Sequence, residues 1–89
     1  MSGLSDQLKG TAVASATTIT ASNKIFHVTG TAAIATINPP PLIDQAEIYL
    51  IPDGAFTTTT GGNIAKASTA VVGVVLQMFW DGSLWYPSY

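Results

Sequence analysis

The chain has 89 residues and a formal net charge of −2; 47% of its residues are hydrophobic and only 9% are charged. Three Lys and Arg residues in total cannot supply the clustered positive charge that binds nucleic acid. The absence of cysteine and the single histidine exclude a disulfide and a thiol–histidine metal cluster, and no apolar run approaches the about 20 residues of a membrane-spanning helix.

The small size and the low charge together predict an interface. A single domain of this length buries roughly 60–65% of its unfolded surface, so its own core gives it modest stability. Oligomerisation is the remaining way to stabilise such a small scaffold. A surface with so few charges is expected to expose apolar groups, and large apolar patches usually mark interaction sites.

The elements are predicted in chain order. Residues 1–10 form an N-terminal arm, which is either flexible or becomes ordered on a partner. Residues 11–89 form a single β-domain. Its first part, TAVASATTIT, is small and β-branched and predicts a strand. KIFHVTG and AAIATI predict two further strands, and NPPPL stops the second of them because proline lacks the ladder N–H.

The second half of the chain continues the pattern. AEIYLI alternates as a strand does and is closed by the turn sequence PDG, while FTTTTGGNI predicts extended structure followed by a turn. Residues 70–80, AVVGVVLQMFW, predict a strand buried on both faces, because the valines are β-branched and nothing caps a helix. Asp81 and Gly82 predict a tight type I′ hairpin turn between MFW and LWY.

About seven short strands with regular turn signals indicate an all-β protein. The expected architecture is a small antiparallel β-sandwich or a jelly-roll-like barrel, with the arm at its N-terminus.

Candidate catalytic residues are few. His27 has no carboxylate or nucleophile near it in sequence, and one histidine makes no metal cluster. The carboxylates Asp44, Glu47, Asp53 and Asp81 could include a glycosidase pair, but Asp53 and Asp81 each precede a turn glycine, which explains them without chemistry. TTTTGGN lacks the Gly-Lys-Ser/Thr ending of a phosphate loop. No catalytic, cofactor-binding or metal-binding residue is therefore predicted, and a small hydrolase is the least favoured alternative.

The aromatic residues concentrate at the C-terminus and are the best candidates for a core or subunit contact. Stacking on sugars is the alternative use of such side chains, but a small domain needs their area for stability. The residues predicted for the core or the interface are Phe79, Trp80, Trp85, Tyr86 and Tyr89.

Three segments carry a resemblance to a known family: HVTGTAAIATINPP, IYLIPDGAFTTTTGGNIAKASTAVVG and FWDGSLWYPSY. They resemble a small all-β module of virion proteins from tailed bacteriophages, which occurs in tail-fibre-like chains and in short free-standing head proteins. The resemblance implies a homotrimer. A small chain with a short arm and no shaft repeat looks more like a capsid cement, or decoration, protein than like a fibre tip.

The resemblance also implies partners and a location. A cement protein binds the outside of the phage head at three-fold or quasi-three-fold positions and contacts the major capsid protein, so the chain is expected on the capsid surface of a virion made in a host cytoplasm. The arm is the expected capsid contact, through Ser2, Leu4, Leu8 and Lys9. The alternative is a tail-fibre tip or receptor-binding module that recognises host surface glycans.

Overall fold

The protein is all-β, as the sequence predicts. A computed structural model describes residues 10–39 and 47–89, and these residues contain ten strands and no helix. The strands are β1 (Val13–Ala14), β2 (Thr18–Thr20), β3 (Ile25–Thr29), β4 (Ala33–Ile34), β5 (Thr36–Asn38), β6 (Glu47–Pro52), β7 (Thr57–Thr58), β8 (Ser68–Thr69), β9 (Leu76–Trp80) and β10 (Trp85–Pro87).

The strands form three sheets. Sheet A has the order β1-β3-β6-β9-β10, sheet B pairs β2 with β5, and sheet C has the order β4-β7-β8. The pairs β1–β3, β3–β6, β2–β5 and β4–β7 are parallel, whereas β6–β9, β9–β10 and β7–β8 are antiparallel. Sheets A and C are therefore mixed, and none of the three sheets closes on itself.

The chain winds as a short solenoid. From β3 onward the successive strands lie in sheets A, C, B, A and C, so each turn lays its strands parallel to those of the turn before. The register offsets differ from one pair of parallel strands to the next. Val13 pairs with Val28 and Ile19 with Ile37, which gives offsets of 15 and 18 residues, whereas the pairs β3–β6 and β4–β7 both have an offset of 24. Because sheets A and C are mixed and none of the sheets closes, the described residues do not confirm the expected antiparallel sandwich or barrel of about seven strands.

The corners of this winding explain why two predicted strands are each divided in the structure. The run AAIATI splits at Ala35, so that Ala33–Ile34 lies in sheet C and Thr36–Asn38 in sheet B. The run TAVASATTIT splits in the same way between β1 in sheet A and β2 in sheet B. Small side chains at the corners allow the chain to bend without glycine or proline.

The core lies between the three sheets and is built from stacked strand residues. Phe26, Leu50 and Leu76 are successive register partners across sheet A, and all three are fully buried. Ile19 and Ile37 stack in the same way across sheet B. Each such side chain contributes about 1.5–3 kcal/mol through burial.

The C-terminal β9–β10 hairpin packs at the end of the solenoid and connects sheet A to sheet B. The β9–β10 hairpin is present as predicted, with Trp80 opposite Trp85. Trp85 is fully buried, and its indole N–H donates to the carbonyl of Ile37 in β5 at 2.9 Å. Its backbone N–H donates to the carbonyl of Asn63, and its carbonyl accepts from the N–H of Ala65.

The hairpin connection is longer than the two-residue type I′ turn predicted for it. Residues 81–84 lie between the paired Trp80 and Trp85, and the N–H of Asp81 donates to the carbonyl of Leu84. Only Gly82 has a positive φ there, at 102°. The side-chain carboxylate of Asp81 accepts hydrogen bonds from the backbone N–H groups of Ser83 and Leu84. These bonds fix the loop, so Asp81 does not need the positive φ of a type I′ turn.

Candidate interaction surface

The longest apolar run forms an exposed turn rather than a strand buried on both faces. Only Leu76–Trp80 of residues 70–80 is a strand. Residues 71–75, named the valine turn here, precede it, and the four valines Val71, Val72, Val74 and Val75 are between 46% and 58% exposed. Gly73 has φ = 82° and the N–H of Val74 donates to the carbonyl of Val71, which is the geometry of a type II turn with glycine at its third position.

The valine turn is held rigidly. The hydroxyl of Tyr89 accepts from the N–H of Val71 at 3.2 Å and donates to the carbonyl of Val74 at 2.9 Å, so it joins the two ends of the turn. The N–H of Gly73 donates to the carbonyl of Pro52 at the end of β6. The ring of Tyr89 is partly buried against the core, and the turn is therefore a fixed protrusion that loses little conformational entropy on binding.

The outer face of sheet A continues the apolar surface from the valine turn. Along β9, Leu76 and Met78 point into the core, while Gln77 and Phe79 alternate outward. Val75, directly before the strand, is also exposed. Phe79 pairs with Tyr86 of β10, and both side chains are 44% exposed.

The polar side chains Glu47, Tyr49 and Gln77 of this face are hydrogen-bonded to one another. The Tyr49 hydroxyl donates to Oε2 of Glu47 at 2.6 Å and accepts from the amide nitrogen of Gln77 at 3.2 Å. The hydrogen bond to Glu47 is the main cause of the raised pKa of Tyr49. Glu47 is thus hydrogen-bonded to Tyr49 and lies opposite the exposed Phe79.

A second hydrogen-bonded cluster borders the same face at the hairpin loop. Oδ2 of Asp81 accepts from the Tyr86 hydroxyl at 3.0 Å, and Oδ1 accepts from the N–H groups of Ser83 and Leu84 at 2.8 Å. The backbone bond from Leu84, then that from Ser83 and then the Tyr86 hydroxyl lower the pKa of Asp81. The same contact raises the pKa of Tyr86. The bond orients the exposed Tyr86 ring.

His27 does have an ionisable partner, which its sequence neighbourhood does not reveal. Its Nδ1 lies 2.7 Å from Oδ1 of Asp53, because His27 is on β3 and Asp53 directly follows the neighbouring strand β6. Among the described residues, no group of three or more His, Cys, Asp and Glu side chains could hold a metal ion. The pair can hold and orient a proton, but none of the contacts described around it supplies a nucleophile.

The structure divides the predicted C-terminal residues into two groups. Trp85 lies in the core of its own chain and has no surface left for a neighbouring subunit, and Trp80 and Tyr89 pack partly against that core. Trp80 stacks on Trp85 with ring centroids 4.9 Å apart. Phe79 and Tyr86 are the most exposed of the five, whereas Trp80 and Tyr89 are partly buried; their predicted role in an interface stays a prediction.

The other predicted residues fall outside the described part of the chain, and the valine turn was missed. Ser2, Leu4, Leu8 and Lys9 of the predicted capsid contact lie outside the described residues, as does the candidate carboxylate Asp44. The sequence signal for the valine turn is Gly73, which interrupts the valines of the run predicted as a strand. Among the residues described, no helix is long and apolar enough to cross a membrane.

Comparisons with known proteins identify no family. No protein-family model matches the sequence, and no curated protein matches it. Among solved structures, a fragment of enterohemorrhagic E. coli StcE, residues 132–251, matches with 16% sequence identity and a TM-score of 0.45. The match covers 74% of this chain and 63% of that fragment, so the chain spans less than two thirds of it. A likeness at this level establishes neither a family nor a function.

Proposed function

We propose that this chain is a non-enzymatic structural protein of a virion, a homotrimeric capsid cement protein. In this role it binds the outside of a phage head at three-fold or quasi-three-fold positions and stabilises the shell. The virion assignment is supported by the resemblance of the three sequence segments to phage head and fibre modules. The observation that carries the assembly role is the rigid apolar surface formed by the valine turn, Phe79 and Tyr86.

The charges of this surface favour contact with protein. No residue from 67 to 80 is charged, and the neighbouring carboxylates of Glu47 and Asp81 are each hydrogen-bonded to a tyrosine hydroxyl. Burying residues 67–80 against another apolar surface therefore desolvates no charge within this segment, and the two flanking carboxylates each keep a hydrogen-bond donor. β-branched valines also have few rotamers to lose when they are buried.

The proposed mechanism is stabilisation by binding the assembled state. A protein that binds the expanded shell across neighbouring capsomers, and does not bind their dissociated form, shifts the equilibrium toward the shell. The effect grows with the free concentration of the cement protein relative to its dissociation constant: it is about 2.7 kcal/mol per site at a hundredfold excess.

A charge placed on the valine turn tests the assembly role. Val72→Asp puts a carboxylate on the most exposed of the four valines, and Thr60→Asp makes the same charge change at an exposed loop residue outside the surface. Light scattering of the wild-type chain should give three times the monomer mass, and expanded heads that lack the protein should gain heat resistance when it is added. Val72→Asp should lose trimer formation, head binding or both, and Thr60→Asp should keep both. A monomeric wild-type chain that leaves heads unchanged would reject the proposal.

The second candidate is a receptor-binding module at a tail-fibre tip. The observation that favours it is the exposed Phe79 and Tyr86 pair beside Asp81 and Gln77, since aromatic rings flanked by hydrogen-bonding groups bind sugars. A glycan array separates the two functions. Specific binding that Tyr86→Ala abolishes would favour the receptor module, and the absence of binding would favour the cement protein.

A further inference from the structure

The valine turn has a conformation that its own sequence disfavours. Four of its five residues are valine, and β-branched residues pack best in extended strands. Gly73 supplies the positive φ of 82° that the third position of a type II turn requires. Glycine permits this conformation but does not impose it, because negative φ values are open to glycine as well. Another contact therefore determines that residues 71–75 turn.

A longer β9 is the alternative to the valine turn. The pairing of β6 with β9 places Leu50 opposite Leu76, so two residues further along each strand an unbroken ladder places Pro52 opposite Val74. In that ladder the N–H of Val74 donates to the carbonyl of Pro52. In the structure the N–H of Gly73 donates to this carbonyl instead, at 3.1 Å. The chain is thus shifted by one residue at Pro52 and turns where β9 would otherwise continue.

Tyr89 is anchored beside the turn by contacts that do not involve the turn. The N–H of Ser88 donates to the carbonyl of Gln77 at 2.8 Å, which continues the β9–β10 ladder and places Tyr89 next to the start of β9. The main-chain oxygen of Tyr89 accepts from the Ser68 hydroxyl at 2.7 Å, and its ring packs partly against the core. The Tyr89 hydroxyl is therefore held in place whether or not residues 71–75 turn.

The two hydrogen bonds of this hydroxyl can form together only in the turn. It accepts from the N–H of Val71 and donates to the carbonyl of Val74, which are the first and fourth residues of the turn. These residues lie within about 7 Å in a β-turn, but about 10 Å apart in a strand. We propose that Tyr89 is the positioning residue of the contact surface, because its hydroxyl stabilises the turn over a longer β9. The consequence for binding rests on the proposed function, whereas the preference for the turn does not.

The conformation of the segment determines what surface the protein presents. In the turn, all four valines are about half exposed on one protrusion. In a strand, successive side chains point to opposite faces, so the valines no longer form a single apolar surface. Removing both hydrogen bonds of the hydroxyl shifts the equilibrium from turn to strand by about tenfold or more. If the turn is then formed in about a tenth of the molecules, the surface binds its partner about ten times more weakly.

Amide hydrogen exchange on the full chain tests the preference for the turn. The Gly73 amide is hydrogen-bonded in the turn alone, whereas the Val74 amide is hydrogen-bonded in both conformations. We expect Tyr89→Phe to speed exchange at Gly73 by about tenfold or more while Val74 stays protected. The matched variant Tyr49→Phe also removes a hydroxyl that donates one hydrogen bond and accepts another in sheet A, and it should leave Gly73 unchanged. Unchanged exchange at Gly73 in Tyr89→Phe would overturn the proposal, and so would equal acceleration at both amides, which would mean disorder rather than a strand.

A proline at position 72 tests whether the hydroxyl acts through the turn. Val72 is the second residue of the turn, where type II turns favour proline, and proline also disfavours a strand because it lacks the N–H. Adding Val72→Pro to Tyr89→Phe should therefore restore slow exchange at Gly73 without the hydroxyl. Fast exchange at Gly73 in the double variant would reject the proposed role of Tyr89.

Binding to expanded heads that lack the protein tests the consequence for the surface. Tyr89→Phe should bind such heads about ten times more weakly than the wild type. Equal binding by the two chains, together with fast exchange at Gly73 in the variant, would overturn the positioning role. A wild-type chain that is monomeric and leaves heads unbound would reject the proposed function instead, and exchange at Gly73 would still decide whether the hydroxyl of Tyr89 stabilises the turn.

Discussion

Removing the Trp85 side chain should be among the most damaging single changes in this fold. Trp85 is fully buried, packs against Trp80, and connects β10 to sheet B through its indole N–H. Truncation of a buried tryptophan to alanine costs about 3–5 kcal/mol through lost transfer energy and the cavity left behind. The carbonyl of Ile37 keeps the Asn63 amide as a donor, so it adds little further cost.

The expected loss of unfolding free energy is large relative to the total stability of the domain. A domain of this length has a stability of roughly 4–13 kcal/mol. A loss of about 3–5 kcal/mol lowers the melting temperature of a 60–100-residue domain by at least about 12 °C. We expect Trp85→Ala to show this loss in thermal unfolding followed by far-ultraviolet circular dichroism at one fixed protein concentration.

The control variant keeps an aromatic ring at position 85 and removes the hydrogen bond from the indole N–H to the carbonyl of Ile37. Trp85→Phe keeps most of the buried area and loses the indole N–H, whose net contribution is about 0.5–1.5 kcal/mol. It should therefore lie between the wild type and Trp85→Ala. A melting temperature for Trp85→Ala within about 4 °C of the wild type would show that the C-terminal hairpin does not close the core as described.

Three further changes test other parts of the fold. Asn63→Ala removes the side chain that bonds both the N–H and the carbonyl of Ile37, and urea unfolding should show a loss of about 1–3 kcal/mol; an unchanged midpoint would contradict this role. Asp81 has a lowered pKa in the folded state, so its contribution to stability is present above the unfolded pKa of about 3.9 and is lost as the pH falls through the folded value. Asp81→Asn should therefore flatten the loss of stability below about pH 4 in acid unfolding. An acid unfolding profile identical to that of the wild type would refute this role of Asp81. Gly54→Ala places a methyl group onto the carbonyl of Gly30, and calorimetry should show about 1–3 kcal/mol of destabilisation unless the two corners separate.

The sequence was sufficient to predict most strand segments. KIFHVTG and AEIYLI alternate in polarity, and the structure contains Ile25–Thr29 and Glu47–Pro52 there. Asn38 ends β5 directly before the prolines, as expected from their missing N–H. These predictions succeed because alternation and chain breakers are local properties.

Strand pairing and the corners could not be predicted in the same way. The offsets of 15, 18 and 24 residues follow no fixed period, so the sequence shows no repeat that would reveal a solenoid. Ala35 gives no turn signal, although the chain changes sheets there. The β-branched valines favour a strand at residues 71–75, but Gly73 and the distant Tyr89 hydroxyl determine the turn that the structure has there.

Immunogold labelling of this chain on intact particles from its source tests the central proposal most directly. The cement role predicts gold spread over the head in many copies, and heads that lose the protein should also lose the label and part of their heat resistance. Gold confined to the tail end would contradict that role and would favour a fibre or adsorption component. Particles without any label would remove the virion assignment altogether.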